Sequence, residues 1–197
     1  MKTKLGIVIV MIEIASVASL FFLLKLDGLP SKYGVILVFF LPITFGLHVT
    51  EEFIFPGGME EWTKSYRPQL AGAITQSYLF KINAIPLVAF LLVSLGAFNY
   101  MGTYSFGGLY AWLVLMSIQA FNALFHIRAT FRTRQYAPGV VTGIVFYLPL
   151  AIVSFVFFIK TGAINIFSAI GCLVIGSFFQ SILDLVKERR LQKKNKI

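Results

Sequence analysis

Apolar residues run for about 20 positions at a time along this chain, and that feature restricts its fold more than any other. The runs lie near residues 5–24, 33–55, 78–98, 107–127, 140–159 and 164–186. A bilayer core is crossed by about 20 helical residues, and within it each backbone N–H and C=O needs an internal partner. Stretches of this length and polarity therefore form helices and leave little alternative. With 58% hydrophobic and 13% charged residues and a mean hydropathy of +0.84, the chain is not a soluble domain. The expectation is an all-α, polytopic membrane helical bundle of about six transmembrane helices. Residues 1–186 form one transmembrane domain and residues 187–197 a basic tail.

The formal charge of +9 is distributed as orientation demands, not as nucleic-acid binding demands. Lys2, Lys4, Lys64, Arg67, Lys81, Arg128, Arg132, Arg134 and the basic residues of the tail fall at one set of helix ends. Only Lys25, Lys32 and Lys160 fall at the other. By the positive-inside rule both termini are cytoplasmic, the partners are membrane lipids, and no nucleic acid is involved. A cleaved signal peptide competes for the first run, with small residues at Ser16-Val17-Ala18, and would leave five spans. Glu13 interrupts such a core and apolar residues continue to Leu24, which favours a retained first helix. The single cysteine, Cys172, lies in the last apolar run and reads as packing.

Against this background, the segment His48-Val49-Thr50-Glu51-Glu52 stands out. An ionisable group at membrane depth costs about 2.5–3.5 kcal/mol even on a lenient insertion scale, so three of them need a shared explanation. Residues three and four apart share a helical face, so His48 can meet Glu51 and Glu52, which themselves diverge by about 100°. One glutamate can face a ligand while the other orients it. Asn122 and His126 share a face of the fourth run by the same spacing, and His48 and His126 are the only two histidines. Both motifs fall in the cytoplasmic third of the bundle, as do Gln180 and Asp184, while Glu13 lies in the inner half of the first run. The competing explanation is that these groups merely fasten helices to one another.

Two further segments border that region. Residues 56–77 begin Pro56-Gly57-Gly58 and continue through Glu60, Glu61, Trp62 and Tyr66. This reads as an interfacial stretch, with Trp62 and Tyr66 at headgroup depth and the two glutamates solvated. Tyr136-Ala137-Pro138-Gly139 has the pattern of a helix entry and follows Arg128, Arg132 and Arg134. Such a loop can hold a phosphate or carboxylate headgroup, although ordinary positive-inside charge explains the arginines equally well. Gly139 and Gly143 form a small-xxx-small pair for close helix contact.

Taken together, His48, Glu51 and Glu52, then His126, then Tyr136, Pro138 and Gly139 resemble the bacterial membrane proteins named for their HxxEE motif. That family combines HxxEE with a second histidine and a YxPG motif. The resemblance implies a multi-pass protein of the bacterial inner membrane with a shared fold and site, and supplies no reaction.

The residue types narrow the chemistry. Two histidines and two or more carboxylates suit a divalent metal, zinc first, in a His and Glu site with an open position, or a carboxylate-rich two-metal site. In the first mechanism, hydrolysis of a lipid or membrane peptide, His48, His126 and one of Glu51 or Glu52 hold the metal. The other glutamate accepts a proton, Asn122 steadies the oxyanion, and Tyr136, Arg132 and Arg134 hold the substrate. A metal-free alternative has a glutamate activating water. It is similar to the membrane-embedded glutamate proteases that process prenylated CAAX proteins, although the arginine after the paired glutamates and a later histidine motif are missing. The alternative from another class is a non-enzymatic protein that binds or carries an ion, proton or lipid. The nearly uniformly apolar outer halves of the runs speak against a conduction path.

Overall fold

The computed structural model describes residues 2–25, 31–68, 76–98 and 104–194. Among these the fold is all helical, with only an isolated bridge between Phe98 and Tyr104 outside the helices. Seven helices follow in order: α1 (Lys2–Leu24), α2 (Lys32–Phe53), α3 (Met59–Tyr66), α4 (Gln76–Gly96), α5 (Phe106–Thr133), α6 (Val140–Lys160) and α7 (Ile166–Lys194). Among the described residues, α2, α5 and α6 are long and apolar enough to cross a membrane, and α1, α4 and α7 carry shorter apolar stretches. The chain is a membrane helical bundle.

α2 and α5 form its centre. α2 packs on α1, α4 and α6, and α5 packs on α4, α6 and α7. Val35, Val38, Phe39 and Leu41 of α2 meet Trp112, Leu113 and Met116 of α5 and Phe158 of α6 in a core closed to solvent. The periphery stays apolar, with Phe21, Phe22, Ile85, Ile152 and Phe167 largely exposed, as befits a surface whose solvent is lipid.

A proline inside α2 shows how the centre is fastened. Pro42 has no N–H, so the Val38 carbonyl one turn earlier loses its helical partner. In hydrocarbon that carbonyl must be satisfied from elsewhere. Trp112 Nε1 of α5 donates to it at 3.0 Å and Ser94 Oγ of α4 at 3.1 Å. The break in one helix thereby becomes the joint of three.

Three features differ from the sequence expectations. α5 does not stop near residue 127 but continues to Thr133, carrying Arg128 and Arg132 beyond the apolar part of the helix. α7 likewise runs past residue 186 as a helix, to Lys194. Residues 57–66 pack onto the bundle with Trp62 turned inward. Gly57 and Gly58 take positive φ values of 73° and 92°, the chain reverses, and α3 folds back so that Trp62 is 9% exposed. Its neighbours are Ala129, Ala137 and Phe125, so it packs against α5 and the YxPG segment. The solvated reading of the nearby acids holds: Glu61 is exposed and Glu60 pairs with Lys64 at 2.6 Å.

Candidate metal centre

α2 supplies three polar side chains at its last turns, all buried: His48 is 1% exposed and Glu51 and Glu52 6% each. The four-residue spacing brings Glu52 under His48, with Nε2 to Oε1 at 3.3 Å. His126, 1% exposed on α5, brings its own Nε2 to the same oxygen at 3.3 Å. The two rings stand edge to face with centroids 5.1 Å apart. One donor atom from each of His48, Glu52 and His126 lies within 4.8 Å of the others.

The hydrogen bonds around His48 define which nitrogen offers a lone pair. Thr142 Oγ1 lies 3.3 Å from the Gly139 carbonyl, to which it can donate, and 2.7 Å from His48 Nδ1. With the hydroxyl proton on the carbonyl, Nδ1 is the nitrogen that carries the imidazole proton. Nε2 in turn accepts from the Asn122 side-chain amide at 3.1 Å. An unprotonated Nε2 then faces a carboxylate oxygen, and two lone pairs at 3.3 Å repel unless a cation or proton lies between them. A metal-ligating histidine has this arrangement, its second nitrogen donating to a fixed acceptor. Two of the three separations also fit: zinc bonds of about 2.0–2.1 Å at tetrahedral angles put neighbouring donors about 3.3 Å apart, the distance of Glu52 Oε1 from each Nε2, while the group as a whole spans up to 4.8 Å.

Glu51 turns away from this group by the one-residue rotation of the helix. Its Oε1 accepts from the Tyr136 hydroxyl at 2.5 Å and from Val141 N at 3.0 Å, and its Oε2 from Thr142 N at 2.7 Å. The reason lies in α6, whose N-cap is Gly139 and supplies no side-chain acceptor. The first N–H groups of a helix lack partners within it and favour a negative charge. Glu51, from another helix, meets that need. Outside the membrane-spanning segments, Tyr136 has its phenol pushed well above the ordinary range, by burial first and the Glu51 carboxylate second.

The YxPG segment closes the group from the side. Gly139 has φ of 95°, and a Cβ there would stand 2.6 Å from His48 Cε1 and 3.1 Å from His126 Cε1. Backbone conformation and contact with both imidazoles therefore each call for glycine. Gly143, the second small residue of the pair, faces Ala123 of α5, with 3.1 Å to its Cβ from the same construction. From Gly143 to Tyr147 the helix widens to a π-turn, a feature frequent at functional sites. Tyr147 stacks on His48 at 4.7 Å between ring centroids. Trp62 covers His126 at 6.5 Å. Three buried polar atoms in this shell have no hydrogen-bond partner among the described residues: His126 Nδ1, Trp62 Nε1 and the Tyr147 hydroxyl.

The family model described as "protein of unknown function with HXXEE motif" matches residues 39–154, more than half of the chain and the whole of this group. The chain belongs to that family. No curated protein and no solved structure matches it.

In this HXXEE protein the residues expected at the site separate into three places. His48, Glu52, His126 and Asn122 meet directly. Glu51 and Tyr136 meet each other one layer out. Arg132 lines a cavity beyond Trp62, whereas Arg134 ends α5 as an exposed residue with φ of 54° and does not line it. Glu13 packs against Gly46 of α2, its Oε1 unpartnered among the described residues, and is not part of the His48, Glu52 and His126 group. The side chains of Asp184, Gln180 and Lys81 lie outside the described residues. Thr142, Tyr147 and the covering role of Trp62 were not anticipated. Thr142, three residues beyond Gly139 on the same helical face, was the one with a signal in the sequence.

Proposed function

We propose that this HXXEE protein is a metal-dependent hydrolase of the bacterial inner membrane, acting on a lipid or membrane peptide reached from the cytoplasmic leaflet. The observation that carries the reading is the single Glu52 oxygen held 3.3 Å from two buried imidazole nitrogens. His48, His126 and Glu52 hold the ion, and zinc suits this donor set best. When bound, it supplies a Lewis acid and lowers the pKa of a water. Three protein ligands, not four, are what hydrolytic zinc sites use, because one position stays open to substrate.

The chain's own residues do the rest. Thr142, 2.7 Å from Nδ1, orients the His48 ring, and Asn122, 3.1 Å from Nε2, is the neutral donor that an ion at Nε2 would release to steady developing negative charge. Glu51 serves as a positioning residue, since both its oxygens are committed to α6 and Tyr136. The Tyr147 hydroxyl beside His48, unpartnered among the described residues, is left to hold a substrate oxygen. A second reading, a proton-carrying site, is favoured by the near-complete burial of both imidazoles.

Elemental analysis of the detergent-purified protein separates the two. One divalent ion per chain, lost in His48→Ala, His126→Ala and Glu52→Gln variants that remain folded, supports the hydrolase and directs screens to lipid ester and peptide bonds. Absence of metal after zinc, manganese or iron is added refutes it and leaves the proton site.

A further inference from the structure

Glu13 is the central residue of α1 (Lys2–Leu24), about 16 Å from either end at 1.5 Å per residue. It lies on the face that α1 packs against the bundle. Gly6, Ile9, Glu13 and Ser16 recur there at helical spacing, Ile9 and Ser16 are buried, and Gly6 meets Ile54 beyond the end of α2. Opposite Glu13 stands Gly46 of α2. A Cβ at Gly46 would collide with Glu13 Oε1 and stand 2.9 Å from its Cδ and 3.3 Å from its Cγ. The whole carboxyl end therefore occupies the space that a side chain at position 46 would take.

That notch holds a carboxyl group but offers a charge nothing. Oε1 is closed to solvent and has no hydrogen-bond partner among the described residues. A helix interior has no free N–H to give, and the hydroxyl of Ser16, one turn along α1, bonds the Ile12 carbonyl at 2.8 Å. Among the described residues no cation faces it. Lys2 and Lys4 of α1 are more than two turns away, and α1 packs on α2 and α4. In α2, Lys32 lies at the far end, while His48, Glu51 and Glu52 turn to α5 and α6. Residues 85–96 of α4 carry no charge, and the Lys81 side chain lies outside the described residues. An ionised carboxylate here would be unpaired and far from water, a state that a carboxyl group leaves by taking up a proton. Val10, Met11, Ile14 and Val17 of α1 are exposed on the apolar surface, so the rim of the notch is open to lipid-soluble molecules.

We propose that Glu13, seated in the Gly46 notch, is an intramembrane proton-binding site separate from the metal centre. It holds the neutral acid at neutral pH and exchanges that proton at the seam of α1 and α2. The site does not rest on the hydrolase reading, because Glu13 is outside the His48, Glu52 and His126 group.

The test treats the full chain, in a neutral maltoside detergent, with lipid-soluble dicyclohexylcarbodiimide and with a water-soluble carbodiimide, and maps the products by mass spectrometry. A neutral carboxyl gives its proton to a carbodiimide nitrogen and its oxygen to the central carbon, and the O-acylisourea rearranges to a stable N-acylurea with no leaving group. At pH 7 Glu13 is expected to carry the dicyclohexyl label and not the water-soluble one, with labelling that falls as the pH is raised and returns when it is lowered. Zinc should not protect it. Glu13→Gln should lose the label and keep the parent's metal content, and Lys81→Gln should label like the parent. No label on Glu13 of the parent, or equal labelling by the water-soluble reagent, overturns the proposal. A label that appears only in Lys81→Gln overturns it in favour of an ion pair. Thermal unfolding reads the notch separately: Gly46→Ala should lower Tm, and adding Glu13→Ala should recover part of the loss. Additive losses overturn the seating.

Discussion

Replacing Gly139 by alanine tests the link between the YxPG segment and the imidazoles, because a second glycine provides an internal control. Gly139 and Gly58 have nearly the same φ, 95° and 92°, but a Cβ on Gly58 meets nothing within 4 Å, whereas one on Gly139 stands 2.6 Å from His48 Cε1. The left-handed conformation costs a non-glycine residue about 1–2 kcal/mol, and both variants carry that loss. Only Gly139→Ala adds overpacking, about 1–3 kcal/mol. For a chain of this size the difference lowers Tm by about 2–12 °C relative to Gly58→Ala. Cε1 lies between the two ring nitrogens, so its displacement also moves Nε2, and metal affinity should fall by about 10- to 100-fold, as when a ligand's support is lost. Thermal unfolding in detergent with and without zinc, together with elemental analysis, reads both effects. Equal Tm losses and equal metal content in the two variants would refute the reasoning, because the contact with the imidazoles would then carry no energy.

Other substitutions separate the two glutamates and probe the joints. Glu52→Gln should abolish metal binding with little loss of Tm. Glu51→Gln sets an amide against N–H and O–H donors and should lower stability by about 1–3 kcal/mol, yet still bind one ion per chain at saturating zinc. In a cycle of thermal unfolding measurements, Ser94→Ala and Trp112→Phe should together cost more than the sum of their single effects, because the second removal leaves the Val38 carbonyl without any donor. Additive losses would show that the carbonyl finds another partner. Tyr136→Phe should cost about 1–3 kcal/mol below pH 10. The phenol is raised from its ordinary 10.0, so its neutral form is favoured in the fold. Its contribution is complete below the unfolded value and is lost as pH rises through the folded one, so the parent's Tm should fall more steeply than the variant's above pH 10.

The helices and the polar group were legible because each departs from what its surroundings allow. Twenty apolar residues admit only a helix, and His48 or Glu52 within such a run demands a partner. The division of labour between the glutamates was not legible. Helical spacing shows that they diverge, but Glu51's partners, Tyr136, Val141 and Thr142, lie 85 to 91 residues along the chain. The π-turn was hidden too, since nothing in Gly143–Tyr147 announces that the register shifts and swings Tyr147 onto His48. The amphipathic pattern of α3 described an interfacial helix correctly in composition. It missed the fold-back because two positive-φ glycines and the packing surface at Ala129 and Ala137 decide it.

Adjacency of the two glutamates follows from what α2 must join. A helix that crosses a membrane between two neighbours can address both at one depth only through residues about 100° apart. Glu52 faces His126 of α5, and Glu51 faces the opening turn of α6, one residue earlier. Thr142 completes the link: its N–H donates to Glu51 and its hydroxyl pairs with His48 Nδ1. The α6 docking that satisfies its first N–H groups therefore also orients the His48 ring. Disturbing the Glu51 side must reach the candidate metal ligands through Thr142, whereas the Glu52 carboxylate, in contact only with the two imidazoles among the described residues, can be altered with the α6 joint intact.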